Sequence, residues 1–334
     1  MNFFVFILLT LESVIYLVNS QHKSLFQKGR SNMSSFTILT DTSYDLPQEF
    51  LDDNQISVIP IPFHLDGAPH PEGRWQDISD VDFYNKLRDG GKAGTAQINP
   101  ETYVEKFTEY AQKGEPVLAL FLSSGLSPSY NNSTIALAEV KEAYPNAQIY
   151  CVDSLNAAGG VGLLVTLAVK KRAEGLSLEE TAKWLEEKRH SCLSLFTVDD
   201  LHYLHRGGRL SKLQAVAGSI IGIKPLLNVA PDGTLKLKDK ARGRKVALET
   251  LVSQMKRSIN RGTALDTVII SHSNCEADAK IVANLIKSAF DVAEFNIVMM
   301  GPVVGTHVGP GCIALFFEAD MDRPTYEGKY YPAK

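Results

Sequence analysis

Residues 117–133 read VLALFLSSGLSPSYNNS, and the fold turns on them. The first seven, VLALFLS, are an unbroken apolar run too short for a core helix. They read as a strand buried on both faces, which is the habit of parallel sheets. The chain then turns through SSGLSPS and continues as the helix NSTIALAEVKEAY. A buried strand that feeds directly into a helix is the building block of an α/β fold.

Outward from this junction, apolar strands alternate with amphipathic helices from Phe36 onward, as in βαβ architectures. FTILT (36–40) and ISVIPI (56–61) read as strands, and VDFYNKLRDG (81–90) as a helix closed by glycine. PETYVEKFTEYAQKG is a second helix, with proline in its first turn, Tyr103, Phe107 and Tyr110 on one face, and Gly114 after its end. AQIYCVD (147–153) is a further strand, and the glycine-rich NAAGGVGLLVTLAVKKRAEG that follows is a helix packed closely on something. The strand rhythm changes after SLEETAKWLEEKRH, a charged, solvent-facing helix, so a second domain is expected to start near Cys192. There KPLLNVAPDGTLKLKDKARG gives two alternating runs around Pro231-Asp232-Gly233, a hairpin. A helix around 244–260, TVIISHS, a helix at 276–290, EFNIVMMGPVV and GCIALFFEA complete it. The expected architecture is therefore α/β in two domains: a Rossmann-like parallel-sheet domain over 34–190 and an α+β domain with a mixed or antiparallel sheet over 191–322, with 323–334 as a tail.

The length of 334 residues agrees with two domains at about 150 residues each, large enough to bury two cores without disulfides or metal. A 44% hydrophobic fraction, 22% charged residues and a net charge of −4 describe an ordinary globular chain. With a pI near 6.1 and dispersed basic residues, there is no electrostatic footprint for nucleic acid. Cys151, Cys192, Cys275 and Cys312 lie far apart, three of them inside apolar runs, and read as reduced core thiols with no zinc or redox spacing. Residues 1–33 stand apart: NFFVFILLTLESVIYLV is long and apolar enough for a signal or membrane anchor, but no Lys or Arg precedes it. The reading preferred here is a mis-assigned start or dispensable extension before Met33, with a signal or anchor as the alternative.

In open α/β sheets ligands lie beyond the carboxyl ends of the strands, where the N–H groups of the next helix favour an anion. That rule points to Ser123-Ser124-Gly125-Leu126-Ser127, with Ser127 placed either to cap the helix or to donate to a bound carboxylate. Gly94-Thr95-Ala96-Gln97, in a loop before the 101–112 helix, supplies another hydroxyl. Thr306-His307-Val308-Gly309-Pro310-Gly311 sets a histidine among glycines that permit close approach of backbone to a ligand. Arg206-Gly207-Gly208-Arg209 offers guanidinium groups for an anion. There is no G-x-S-x-G elbow, no phosphate loop and no complete G-x-G-x-x-G, so hydrolase, kinase and dehydrogenase readings all lose ground. His202 and His205 have ligand-like spacing but no third partner, and read as packing or solvent residues.

Together TDTSYDLP (40–47), GTAQINP (94–100), SSGLSPSY (123–130), RGGRLSK (206–212) and THVGPG (306–311) resemble the DegV family, in that family's order and across almost the whole span from Phe36 to Ala319. The resemblance implies a two-domain DegV-like fold that holds a long-chain fatty acid between its domains. It implies no cofactor and no catalysis by the chain itself. In its place, a separate ATP-using catalytic subunit of a fatty acid kinase phosphorylates the carboxylate, and the acyl phosphate enters phospholipid synthesis. By position, Thr95 and Ser127 correspond to the two hydroxyls that hold the carboxylate. His307 and Arg206 correspond to the histidine and arginine kept near it or at the docking face for the kinase, and Ser124 is a further hydroxyl at the junction. The family works in the cytoplasm, and the core domains are expected there, away from membrane. Ala96 departs from the family's usual serine and Pro128-Ser129 from its usual Gly-Thr; the proline removes one anion donor. The competing reading is a serine hydrolase or acyltransferase using Ser127 or Ser124 with His307 as base, and a third is a sugar- or nucleotide-binding protein.

Overall fold

The computed structural model describes residues 36–71, 78–211, 222–260 and 262–323. The apolar N-terminal extension at 1–33 and all of the tail beyond Arg323 lie outside these residues. The first half of the chain runs β1 (Thr37–Asp41), α1 (Gln48–Asp53), β2 (Ser57–Ile59), β3 (Phe63–Leu65), β4 (Ala68–His70), α2 (Asp80–Arg88), β5 (Ala93–Thr95), α3 (Pro100–Lys113), β6 (Val117–Phe121), α4 (Ser129–Ala143), β7 (Ile149–Asp153), α5 (Gly159–Ala173) and α6 (Leu178–Lys188). The second half runs β8 (Cys192–Thr197), α7 (His202–Arg206), β9 (Ile223–Val229), β10 (Leu235–Arg242), α8 (Arg244–Arg257), β11 (Leu265–His272), α9 (Glu276–Lys287), β12 (Val292–Met299), α10 (Pro302–Val308) and β13 (Ile313–Glu318).

Each half builds its own sheet, giving the two-domain α/β architecture. The first is a parallel sheet of order β2-β1-β6-β7. All five residues of β6 are buried, as a strand covered by helices on both faces must be. The second sheet has the order β10-β9-β8-β13-β11-β12 and is mixed: β11 and β12 are parallel, and every other pair is antiparallel. Within it β9 and β10 form the hairpin signalled by Pro231-Asp232-Gly233, the Gly233 N–H closing onto the Ala230 carbonyl.

Helix α5 joins the halves, because its residues Gly159 to Ala168 are all buried and it touches strands of both sheets. Its glycines have a steric cause. A Cβ on Gly159 would sit 2.6 Å from the Phe316 ring and 2.7 Å from Ile269 of the second sheet. The charged helix α6 is amphipathic rather than free in solvent: it begins with a Ser177–Glu180 capping box and buries Leu178, Thr181, Ala182 and Leu185. All four cysteines are free; Cys192 and Cys312 are buried, while Cys151 and Cys275 are partly exposed. Among the described residues no helix is long and apolar enough to cross a membrane, and no His, Cys, Asp and Glu group is arranged to hold a metal.

Two local readings are corrected. Residues 63–70 and 93–95 form a third, antiparallel sheet of order β4-β3-β5, so Thr95 ends a strand rather than lying in a loop. Its turn is Asp66-Gly67, with both residues at positive φ (51° and 83°), a two-residue hairpin that the strands' shortness hides. EFNIVMMGPVV is also not one strand. β12 stops at Met299, and Pro302, with its fixed φ and no N–H to lose, opens α10, which carries His307.

Candidate functional site

A cavity runs between the two domains, beyond the carboxyl ends of the parallel strands. Of its lining side chains, all but Thr95, Ser194, Arg209 and His307 are apolar. Leu122, Leu126, Ala157 and Ala158 come from the junctions after β6 and β7, while Phe196, Ala314 and Phe316 come from the second sheet.

Three of the four polar residues meet at one end. Thr95 Oγ1 lies 2.9 Å from His307 Nε2 across the domain boundary. The Arg209 guanidinium donates to the Leu126 carbonyl at 3.0 Å and to the Gly207 carbonyl. Gly207 is glycine for a spatial reason, since a Cβ there would fall 2.2 Å from His307 Nδ1. Helix α10, which presents His307, is fixed from two sides: the Gly301 N–H donates to Asp45 Oδ1 at 3.1 Å, and the Tyr84 hydroxyl donates to the Met300 carbonyl at 2.9 Å. TDTSYDLP thus has two structural duties. Asp45 holds α10, and the buried Asp41 accepts from the Leu122 N–H at 2.8 Å and from Ser43, which pins the loop after β6. Burial pushes the Asp41 carboxyl up, against these hydrogen bonds.

Ser127 is buried beside this end without lining the cavity itself. Its hydroxyl lies 2.9 Å from that of Ser129 and accepts from the Ser129 N–H at 3.2 Å. The Ser129 hydroxyl in turn accepts from the Ile98 N–H, three residues past Thr95. Ser127 therefore closes a short turn just ahead of α4, whose N-cap position is Pro128, and through Ser129 it braces the chain three residues past Thr95. Ser124 is not part of the cavity wall, and its backbone N–H donates to Asp153 Oδ1 at 3.1 Å. Arg206 is exposed and stacks over the Tyr203 ring at 5.0 Å, also off the wall. Its neighbour in the motif, Arg209, is the arginine at the cavity. A sequence pair R-G-G-R does not say which member turns inward; that depends on the turn at Gly207 and Gly208. His205 Nδ1 faces the Leu210 carbonyl, a packing contact.

The electrostatics suit binding better than base catalysis. The His307 pKa is pushed down to about 3, first by burial and then by Arg209 and Arg206. Such an imidazole is neutral at pH 7 and too weak a base to activate a hydroxyl efficiently. Its Nδ1 is buried without a partner, so no carboxylate orients the ring as a catalytic base requires. His307 Nε2 faces Thr95, and the hydroxyl of Ser127 faces Ser129, so the serine–histidine pair of a hydrolase is not formed.

The family model described as "Uncharacterised protein, DegV family" matches residues 35–320. A DegV domain-containing protein of Clostridium perfringens is 38% identical over 293 residues, which is 87% of this chain and all of that one. Among solved structures, a DegV lipid-binding protein from Thermotoga maritima superposes with a TM-score of 0.75 at 29% identity, covering 87% of this chain and 100% of that chain. A stearic acid-binding protein from Eubacterium ventriosum superposes with a TM-score of 0.75 at 26% identity, covering 85% and 98%.

Proposed function

This chain belongs to the DegV family, and from that premise we propose that it holds one long-chain fatty acid in the interdomain cavity and offers the carboxylate to the ATP-using catalytic subunit of a fatty acid kinase. One observation carries the reading: a cavity that is apolar apart from the deeper Ser194 has Thr95, His307 and Arg209 gathered at one end. The acyl chain supplies the affinity, since each buried methylene is worth about 0.8 kcal/mol. The head group then needs only orientation and relief of its desolvation cost. The paired Thr95 hydroxyl and neutral His307 supply a hydrogen bond from whichever member keeps a free donor, with Ser127 one step behind them, and Arg209 supplies a cation. The exposed Arg206 faces solvent, where a docking kinase would meet it. In the partner's active site a carboxylate oxygen attacks the γ-phosphorus of ATP, ADP leaves, and the product is an acyl phosphate.

Native mass spectrometry of the purified protein, followed by denaturation and lipid extraction, tests the binding half. One fatty acid per chain, lost in the Thr95→Ala/Ser127→Ala double variant, is the expected result. A wild-type protein free of acidic lipid would overturn it. Phosphate transfer from ATP to the bound acid, measured with and without a fatty acid kinase catalytic subunit, tests the other half. Transfer is expected only with both proteins present.

A further inference from the structure

The second sheet crosses the cavity in transverse rows whose register is fixed. Phe196 lies opposite Ala314, and both line the wall nearer the polar end, because β13 starts just after His307 and β8 leads toward Arg209. Two residues deeper, Ser194 lies opposite Phe316. Leu195 lies opposite Asn228, so Val229 falls beside Ser194, and Val229 is paired with Leu235. The four residues of this deeper row, Leu235, Val229, Ser194 and Phe316, all line the cavity.

Immediately behind the row the protein becomes polar. Ser194 donates to Asn156 Oδ1, and Asn156 Nδ2 reaches the Cys192 carbonyl. That carbonyl also accepts from Arg323, a buried guanidinium that bonds the Leu155, Ala230 and Arg189 carbonyls as well. An apolar tail pushed past the row would have to separate these paired groups, which is far costlier than stopping. Phe316 cannot retreat either, because Gly159 of α5 stands against its ring.

We propose, resting on the fatty-acid reading above, that the row Leu235–Val229–Ser194–Phe316 is the stop that selects acyl chain length. Ser194, the smallest of the four, forms the notch that takes the terminal methyl group. The row lies about 6.6 Å beyond Phe196 and Ala314, or roughly five methylenes of extended chain. Residues at the polar end hold the head group and leave length to this row.

The test uses Ser194→Thr, which keeps the hydroxyl for Asn156 and adds a methyl in the notch, and Phe316→Leu, which opens the wall. Affinities for laurate, myristate, palmitate, stearate and arachidate are measured by displacement of a fluorescent fatty acid. Relative to wild type, Ser194→Thr is expected to lower the stearate-to-myristate affinity ratio about tenfold, and Phe316→Leu to raise the arachidate-to-palmitate ratio by a similar factor. A wild-type protein that binds none of these acids removes the underlying reading. If wild type binds but both variants keep its length profile, or lose affinity equally at every length, the row is not the stop.

Discussion

Arg209→Gln is expected to weaken binding of a fatty acid while leaving the matching fatty alcohol untouched. The Arg209 guanidinium is partly buried and donates to the Leu126 and Gly207 carbonyls, and among the described residues no carboxylate forms an ion pair with it. Burial lowers its pKa, so its charge is held at some cost and is available to an arriving anion. A hydrogen bond to a charged group is worth about 1.5–3 kcal/mol; partial exposure argues for the lower end, about 1.5 kcal/mol or roughly tenfold in affinity. The assay is probe displacement by palmitate and by cetyl alcohol, on wild type and variant. The expected result is a tenfold loss for the acid and none for the alcohol. Equal losses for both would mean that Arg209 only shapes the cavity, and no loss for either would remove it from the head-group site.

His307 adds a pH dependence to folding. A histidine titrates near 6.5 when unfolded, and this one is held down to about 3, so its contribution is complete above pH 6.5 and is lost as the pH falls toward 3. At pH 5 the loss is about 2 kcal/mol, and urea unfolding of His307→Gln should show a correspondingly flatter acid slope than wild type. Asp45→Ala leaves the buried Gly301 N–H unpaired and should cost about 1–3 kcal/mol in thermal unfolding while also lowering palmitate affinity, because α10 carries His307. A bound carboxylate is expected to raise the His307 pKa from its depressed value, so that binding takes up a proton at acid pH but not near neutrality. Binding enthalpies should therefore agree between buffers of different ionisation enthalpy at pH 7.5 and diverge near pH 5.

Much of this was legible in the sequence for identifiable reasons. VLALFLS is uniformly apolar because β6 is covered on both sides, and GGVGLL is glycine-rich because α5 is pressed against Phe316 and Ile269. Tyr103, Phe107 and Tyr110 fell on one helical face and are all buried. The β3-β4-β5 sheet was missed because three-residue strands carry almost no periodicity, although Asp66-Gly67 was a usable hairpin signal. The choice between Arg206 and Arg209 was not available from sequence at all, since both flank the same two glycines. Nor was the meeting of Thr95 with His307, 212 residues apart, except through the family resemblance.

The same contacts fit the proposed role, in which the site presents the acid rather than reacting with it. A catalytic hydroxyl needs a base near the operating pH, and here burial and two arginines take the histidine far below it. A firm buried ion pair would orient the acid but also quench its oxygen as a nucleophile. Arg209 avoids this by being partly exposed and already engaged with two backbone carbonyls, so its pull on the anion is screened. A hydrogen bond from the Thr95–His307 pair fixes direction without neutralising the charge. The affinity this forgoes at the head is recovered along the chain, where nearly every wall residue is apolar. Tight holding at the tail and light holding at the reactive oxygen is the division a carrier needs if a second protein is to perform the chemistry.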